Sequence, residues 1–353
     1  MEIISHNYQT GATQVVSDHV YGTTGIVRKA HLFKGKRVLF CGVIYMAEDL
    51  YTMADGEAEV FLPEITVKDK EIIKPRCPMI SYQGTSDIVT MDHVREARKL
   101  NPDKILAYIN TPISIKAETD GVYNGTLGLK IVDEIAKNNN GKGKVVFIGD
   151  HNVDEWIKAK TIEKYPEFNI ISLSSNIYCP PHVTIDASEI IFKWEELVNK
   201  YGEDQVGIEL HAEVNEALRN FGFEKNAYFG GTGGLVDVPK KSNKNIWIVG
   251  TIEGVAERLR RETDKEIYSP KAICPNMAYT SPKKVKRAVK LLENEGAVAD
   301  IIYKYKEFPY YKIIINRDEF VETKNNNLVI PAVRIQIDKE IAKKAKIALS
   351  TLL

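Results

Sequence analysis

Three cysteines in this chain share a feature that scattered core cysteines lack: each is followed by proline, at Cys77-Pro78, Cys179-Pro180 and Cys274-Pro275. Proline removes a backbone donor and stiffens the loop that carries the thiol. The remaining cysteine, Cys41, sits inside the apolar run Val38-Leu39-Phe40-Cys41 and reads as a small buried apolar residue. The sequence has no Cys-x-x-Cys pair, and 4 cysteines in 353 residues are too few for a disulfide scaffold. Three thiolates from distant segments predict a shared metal or cluster site. A closed structural zinc takes four ligands, and a [4Fe–4S] cluster normally takes four cysteines. With three, one metal position stays open to a substrate oxygen or nitrogen, and that metal can act as a Lewis acid.

For these thiols to converge, the elements before them must repeat. Similar stretches of chain separate His6 from Cys77, Asn110 from Cys179 and His211 from Cys274. Each stretch opens with a short apolar strand ending in polar residues. A second short segment follows, at Gly22-Thr23-Thr24-Gly25, Asn124-Gly125-Thr126 and Gly230-Gly231-Thr232-Gly233-Gly234. Then comes a strongly apolar run ending in glycine: Val38 to Gly42, Val145 to Gly149, Ile246 to Gly250. Continuous apolar runs of this length suit parallel strands buried on both faces. Such periodicity predicts an α/β fold of three pseudo-threefold-related α/β/α units with short parallel sheets. The units are expected at 1–82, 83–183 and 184–282, with 283–353 packing back on the first. Ligands of parallel sheets bind beyond the carboxyl ends of the strands, so the polar residues and the Cys-Pro loops should face one central cavity.

Composition narrows the class. The 48 basic residues balance 48 acidic ones, which excludes binding nucleic acid by bulk charge. No apolar run reaches the ~18–20 residues of a membrane span. Met1 to His6 lack the basic and apolar regions of a secretory signal, so a cytoplasmic location is expected. The expected partners are small molecules, with the chain a monomer or homodimer.

Taken in order, these motifs resemble the quinolinate synthase family over nearly all of residues 1–290 and again over the last ~20 residues. The matching segments are His6-Asn7-Tyr8-Gln9, Gly42-Val43 with Met46-Ala47-Glu48, and Cys77-Pro78-Met79. They continue with Tyr108-Ile109-Asn110-Thr111, Lys116-Ala117, Cys179-Pro180-Pro181-His182 and His211-Ala212-Glu213. Thr232-Gly233, Gly250-Thr251 and Cys274-Pro275-Asn276-Met277 complete them. The resemblance implies three α/β units around a central [4Fe–4S] cluster held by Cys77, Cys179 and Cys274, with one iron open. It implies a transferase that condenses iminoaspartate with dihydroxyacetone phosphate to form quinolinate in NAD biosynthesis. It also places His6, Tyr8, Tyr108, Asn110, His182, His211, Glu213 and Thr232 around the substrate. Of these, Tyr8, Tyr108, His211 and Glu213 suit acid–base work, and His6, Asn110, His182 and Thr232 suit substrate binding.

The chain departs from the family pattern at three places. Tyr21-Gly22-Thr23 stands where the family carries Gly-Asp-Ser, and Thr23 can replace the serine as a donor. Asn124-Gly125-Thr126-Leu127 stands where it carries Thr-Ser-x-Asn, so Thr126 is the candidate replacement hydroxyl if Gly125 lets the loop shift. Residues 295–330 are an insertion with a Tyr- and Lys-rich run from Ile301 to Tyr311, expected as a strand pair or flap. The first two changes touch the pocket and not the cysteines. A paralogous [4Fe–4S] dehydratase, lyase or sulfur-inserting enzyme with a different small polar substrate is therefore the alternative. A non-catalytic iron–sulfur sensor is a third reading, disfavoured by the retained acid–base residues.

Overall fold

In the computed structural model, all residues are described except 80–88, 307–308 and 324–325. The expected boundary at 82/83 lies outside the described residues, as do four positions of the insertion. In the N-terminal part, β1 (Glu2–His6), β2 (His19–Tyr21), β3 (Arg37–Cys41) and β4 (Glu59–Lys68) run parallel in the order β2-β1-β3-β4, and β5 (Glu71–Lys74) turns back on β4. The next four strands, β6 (Lys104–Tyr108), β7 (Gly121–Tyr123), β8 (Gly143–Ile148) and β9 (Phe168–Ser172), repeat that order as β7-β6-β8-β9, all parallel. A third set repeats it again: β10 (Val206–His211), β11 (Tyr228–Gly230), β12 (Ile246–Gly250) and β13 (Glu266–Tyr268), ordered β11-β10-β12-β13. The apolar runs explain the order. Val38 to Cys41 and Val145 to Ile148 are fully buried, and β12 is buried throughout, so each takes a central position between helices.

The first sheet is larger than the expected short parallel one. It has nine strands, because β14 (Ala299–Tyr303), β15 (Tyr311–Ile315), β16 (Val321–Glu322) and β17 (Leu328–Ile337) join it. β17 runs antiparallel to β4 and parallel to β14, which pairs antiparallel with β15. Without β17, the ten-residue β4 would present an unpaired edge of N–H and C=O groups. β17 pairs with that edge from Leu328 against Val67 to Ile335 against Val60, and its Ile330, Val333 and Ile335 are buried.

Matched register now places chemistry. His6 ends β1, Tyr108 ends β6 and His211 ends β10, the equivalent strand of each set. Two residues further on stand Tyr8, Asn110 and Glu213. Polar side chains also tie the sets together. Asn7 Nδ2 donates to Thr232 O (2.9 Å), Asn124 Nδ2 to Thr24 Oγ1 (3.0 Å) and Asn152 Nδ2 to Glu213 O (3.2 Å). Among the described residues, no helix is long and apolar enough to cross a membrane.

Candidate active site

The strand ends surround one cavity of about 630 Å³, its mouth included. His6, Tyr8, Thr23, Tyr108, Asn110, His211, Glu213 and Thr232 line it, together with Cys77, Cys179 and Cys274. Glycines permit the approach of two of these side chains. A Cβ on Gly149 would lie 1.9 Å from Tyr108 Cβ, and one on Gly22 would lie 2.4 Å from Thr232 Oγ1. Only glycine fits either place.

The most densely bonded group is Glu213, which is 2% exposed. Its Oε1 accepts the Tyr108 O–H at 2.7 Å, and its Oε2 lies 2.8 Å from His182 Nδ1. Asn110 Nδ2 also reaches Oε1, at 3.5 Å. His182 Nε2 meets Thr251 Oγ1 at 2.9 Å and Tyr8 Oη at 3.3 Å, and Tyr8 Oη meets Thr251 Oγ1 at 3.0 Å. Nδ1 therefore carries the hydrogen facing the carboxylate, and Nε2 accepts from the hydroxyls. The result is a continuous hydrogen-bonded chain from Tyr108 through Glu213 and His182 to Tyr8 and Thr251.

Electrostatics sharpen the roles. Burial opposes the Glu213 charge, but His211, the His182 contacts and the Tyr108 hydrogen bond outweigh it and hold the carboxyl below its ordinary range. Burial pushes His211 down to about 3, partly offset by Glu213, and His182 adds to the lowering. Burial thus disfavours a charge on His211, while the His182 and Tyr108 hydrogen bonds favour the charge on Glu213. The backbone N–H of Glu213 donates to His211 Nδ1 (3.3 Å), which leaves Nε2–H as that ring's donor. Likewise the Tyr8 N–H donates to His6 Nδ1 (3.1 Å), and His6 Nε2 meets Thr23 Oγ1 (3.1 Å). Burial, then the Glu213 carboxylate, raise both Tyr8 and Tyr108 well above the usual phenol range, so both stay donors.

The three Cys-Pro loops reach this cavity from three sheets. Cys77 follows β5, Cys179 starts the short helix Pro180–Val183, and Cys274 follows β13. Burial raises the Cys179 thiol well above its ordinary range, and Glu213, Cys77 and Cys274 add to it. Thiols so hard to ionise become thiolate ligands only beside a cation, which a metal cluster would supply. The backbone N–H groups of Met277 and Asn276 reach Cys274, and they oppose the burial that raises its thiol. The donor set thus fits a cluster held by three thiolates. Cys179, His182 and Glu213 also place one ligand atom each within 4.8 Å of one another, a second set able to hold a metal ion. Cys41 lies in β3 within the core, and burial pushes its thiol up to about 12.

Two expected residues stand elsewhere. His182 is buried behind the cavity wall, bridging Glu213 to Tyr8. Thr126 is not brought into the cavity. It is exposed on an adjoining one beside Arg28 and Lys130. Register explains this. Thr23 and Thr232 stand two residues past the ends of β2 and β11, and the matched position past β7 is Gly125. Thr126 is one residue too far. Asn124 lines the cavity instead, with its Oδ1 capping the helix Gly125–Asn138 through Leu127 N.

The structure also adds residues. Tyr45 lines the cavity and its O–H donates to Asn110 Oδ1 at 2.5 Å. Asp150 accepts from Val153 N (3.0 Å) and Cys179 N (2.9 Å), so a helix cap also fixes a cysteine loop. The sequence carried a signal for the cap alone, in Asp150-His151-Asn152 at a helix start.

Comparison with known proteins finds relatives over most of the chain. The profile of the family described as quinolinate synthetase A protein matches residues 1–307. The quinolinate synthase of Clostridium kluyveri is 26% identical over 286 residues, covering 79% of this chain and 81% of the relative. That of Thermotoga sp. strain RQ2 is 28% identical over 282 residues, 78% of this chain and 81% of the relative. That of Clostridioides difficile is 28% identical over 304 residues, 85% of this chain and 88% of the relative.

Proposed function

This chain belongs to the quinolinate synthase family, whose enzymes fit NAD biosynthesis, and we propose that it condenses iminoaspartate with dihydroxyacetone phosphate to form quinolinate. The observation that carries the reading is one cavity lined by three cysteines from three sheets and by the Tyr108–Glu213 end of the hydrogen-bonded chain. Cys77, Cys179 and Cys274 would hold a [4Fe–4S] cluster, leaving one iron without a protein ligand. When bound, the cluster supplies a Lewis-acidic iron that polarises a substrate hydroxyl for loss as water.

The chain's own residues do the rest. Glu213, kept ionised and desolvated, accepts a proton from the condensing carbon skeleton. His182 donates Nδ1–H to its Oε2 and is itself held by the Tyr8 and Thr251 hydroxyls, which orients the carboxylate for that transfer. His211 Nε2–H supplies a donor where charge develops on substrate oxygen, and the Tyr108 O–H, given to Glu213 Oε1, orients the base. Thr23, Thr232 and Asn110 orient carboxylate and phosphate groups.

One observation favours the alternative, a paralogous [4Fe–4S] dehydratase, lyase or sulfur-inserting enzyme. The second unit places Gly125 where the other two place a threonine, so the third hydroxyl is missing. Growth of a strain lacking its own quinolinate synthase, without added nicotinate, tests the proposal. Growth restored by this chain supports it. No growth despite soluble, cluster-loaded protein favours the paralogue.

A further inference from the structure

We infer that Tyr45 is a positioning residue that locks the Asn110 amide, so that the cavity is offered the amide N–H and not its oxygen. The site therefore selects a ligand with a carboxylate or carbonyl oxygen at that place. This deepens the functional reading above and rests on it.

A side-chain amide turns over readily when both its ends meet groups that can donate and accept. At Asn110 neither orientation is equal. Oδ1 accepts the Tyr45 O–H at 2.5 Å, and Nδ2 faces Glu213 Oε1 at 3.5 Å. An ionised carboxylate only accepts. Turning the amide over would set Oδ1 against that carboxylate and replace the short bond donated by Tyr45 with one its hydroxyl must accept from Nδ2. The two ends together hold one orientation, and it presents a donor to the cavity.

Tyr45 is built for a fixed position. It is the second residue of the helix Ile44–Met53 and 2% exposed. Lys116 Nζ lies 5.3 Å from its ring centre, and both oxygens of Asp49 hold that ammonium at 2.5 and 2.7 Å. Lys116 and Asp49 are completely buried. Tyr45 also borders a smaller cavity lined by Tyr303 and Tyr311 of the C-terminal strands. Truncation to alanine would merge the two cavities, so Tyr45→Phe is the informative change.

The test is a double-mutant cycle read by anaerobic calorimetric titration of quinolinate into cluster-loaded protein. The four proteins are the wild type, Tyr45→Phe, Asn110→Ala and the double variant. Tyr45→Phe should weaken binding about tenfold, the size of one hydrogen bond to a charged ligand. In the Asn110→Ala background the same change should cost nothing further, because its only route to the ligand is gone. Wild-type affinity in Tyr45→Phe, or an equal loss in both backgrounds, overturns the inference while leaving the functional reading in place. A wild type that binds no quinolinate overturns the functional reading and this inference with it.

Discussion

Glu213→Gln separates catalysis from architecture at this site. Glutamine keeps the volume, and its one side-chain oxygen can still accept the 2.7 Å hydrogen bond from Tyr108. Its amide nitrogen then faces His182 Nδ1, formerly 2.8 Å from Oε2, and the imidazole must change tautomer to accept from it. Nε2 then donates to Thr251 Oγ1 across their 2.9 Å contact, so the packing survives. Two charge-assisted bonds become neutral ones, at about 1–2 kcal/mol in total. The buried charge disappears as well, which offsets part of that loss. Stability should therefore move by no more than about 2 kcal/mol, and iron content should not move at all. Turnover behaves differently, because the basic oxygen is gone. Loss of a general base costs ~10²–10⁴ in rate, or roughly 3–5 kcal/mol of barrier. Anaerobic turnover, iron per chain and thermal melting should be read on the same preparation. Turnover within threefold of wild type at full iron would refute the assignment of Glu213 as base.

Three further outcomes follow from the same geometry. Serine at Cys77, Cys179 or Cys274 should lower the iron content of anaerobically purified protein, whereas Cys41→Ala should leave it unchanged; a Cys41 variant without iron would reverse the ligand assignment. Asp150→Ala strands the N–H groups of Val153 and Cys179, which should cost about 2–4 kcal/mol and loosen iron retention; unchanged melting and iron would show that the carboxylate does not hold the loop. Thr126→Val should leave KM within about twofold, while Thr23→Val and Thr232→Val each raise it about tenfold, one hydrogen bond to a charged group apiece; a KM that responds to Thr126 and not to the other two would place the anion in the outer cavity.

The parts of this arrangement legible in the sequence are those set by short segments. A Cys-Pro dipeptide, an apolar run closing on glycine and a polar pair at a strand end each occupy a few adjacent residues. Their threefold recurrence predicted the short parallel sheets that the second and third strand sets form. What was not legible depends on distant partners. The pairing of β17 with β4 joins residues more than two hundred positions apart, and no local pattern announces it. Tyr45 gains its meaning only when the fold sets Asn110 against its hydroxyl. Asp150 reads as a helix cap, and its second oxygen gains a meaning only when the Cys179 loop returns to it. Thr126 stands one residue beyond the position matched to Thr23 and Thr232, because the register of β7 against β6 that sets it is a property of the sheet.

Protein purified without oxygen and carrying a full cluster, supplied with dihydroxyacetone phosphate and freshly generated iminoaspartate, should form quinolinate that is identified by mass and accumulates over repeated turnovers. Absence of quinolinate, with iron content and cluster absorbance intact throughout, would contradict the proposed reaction.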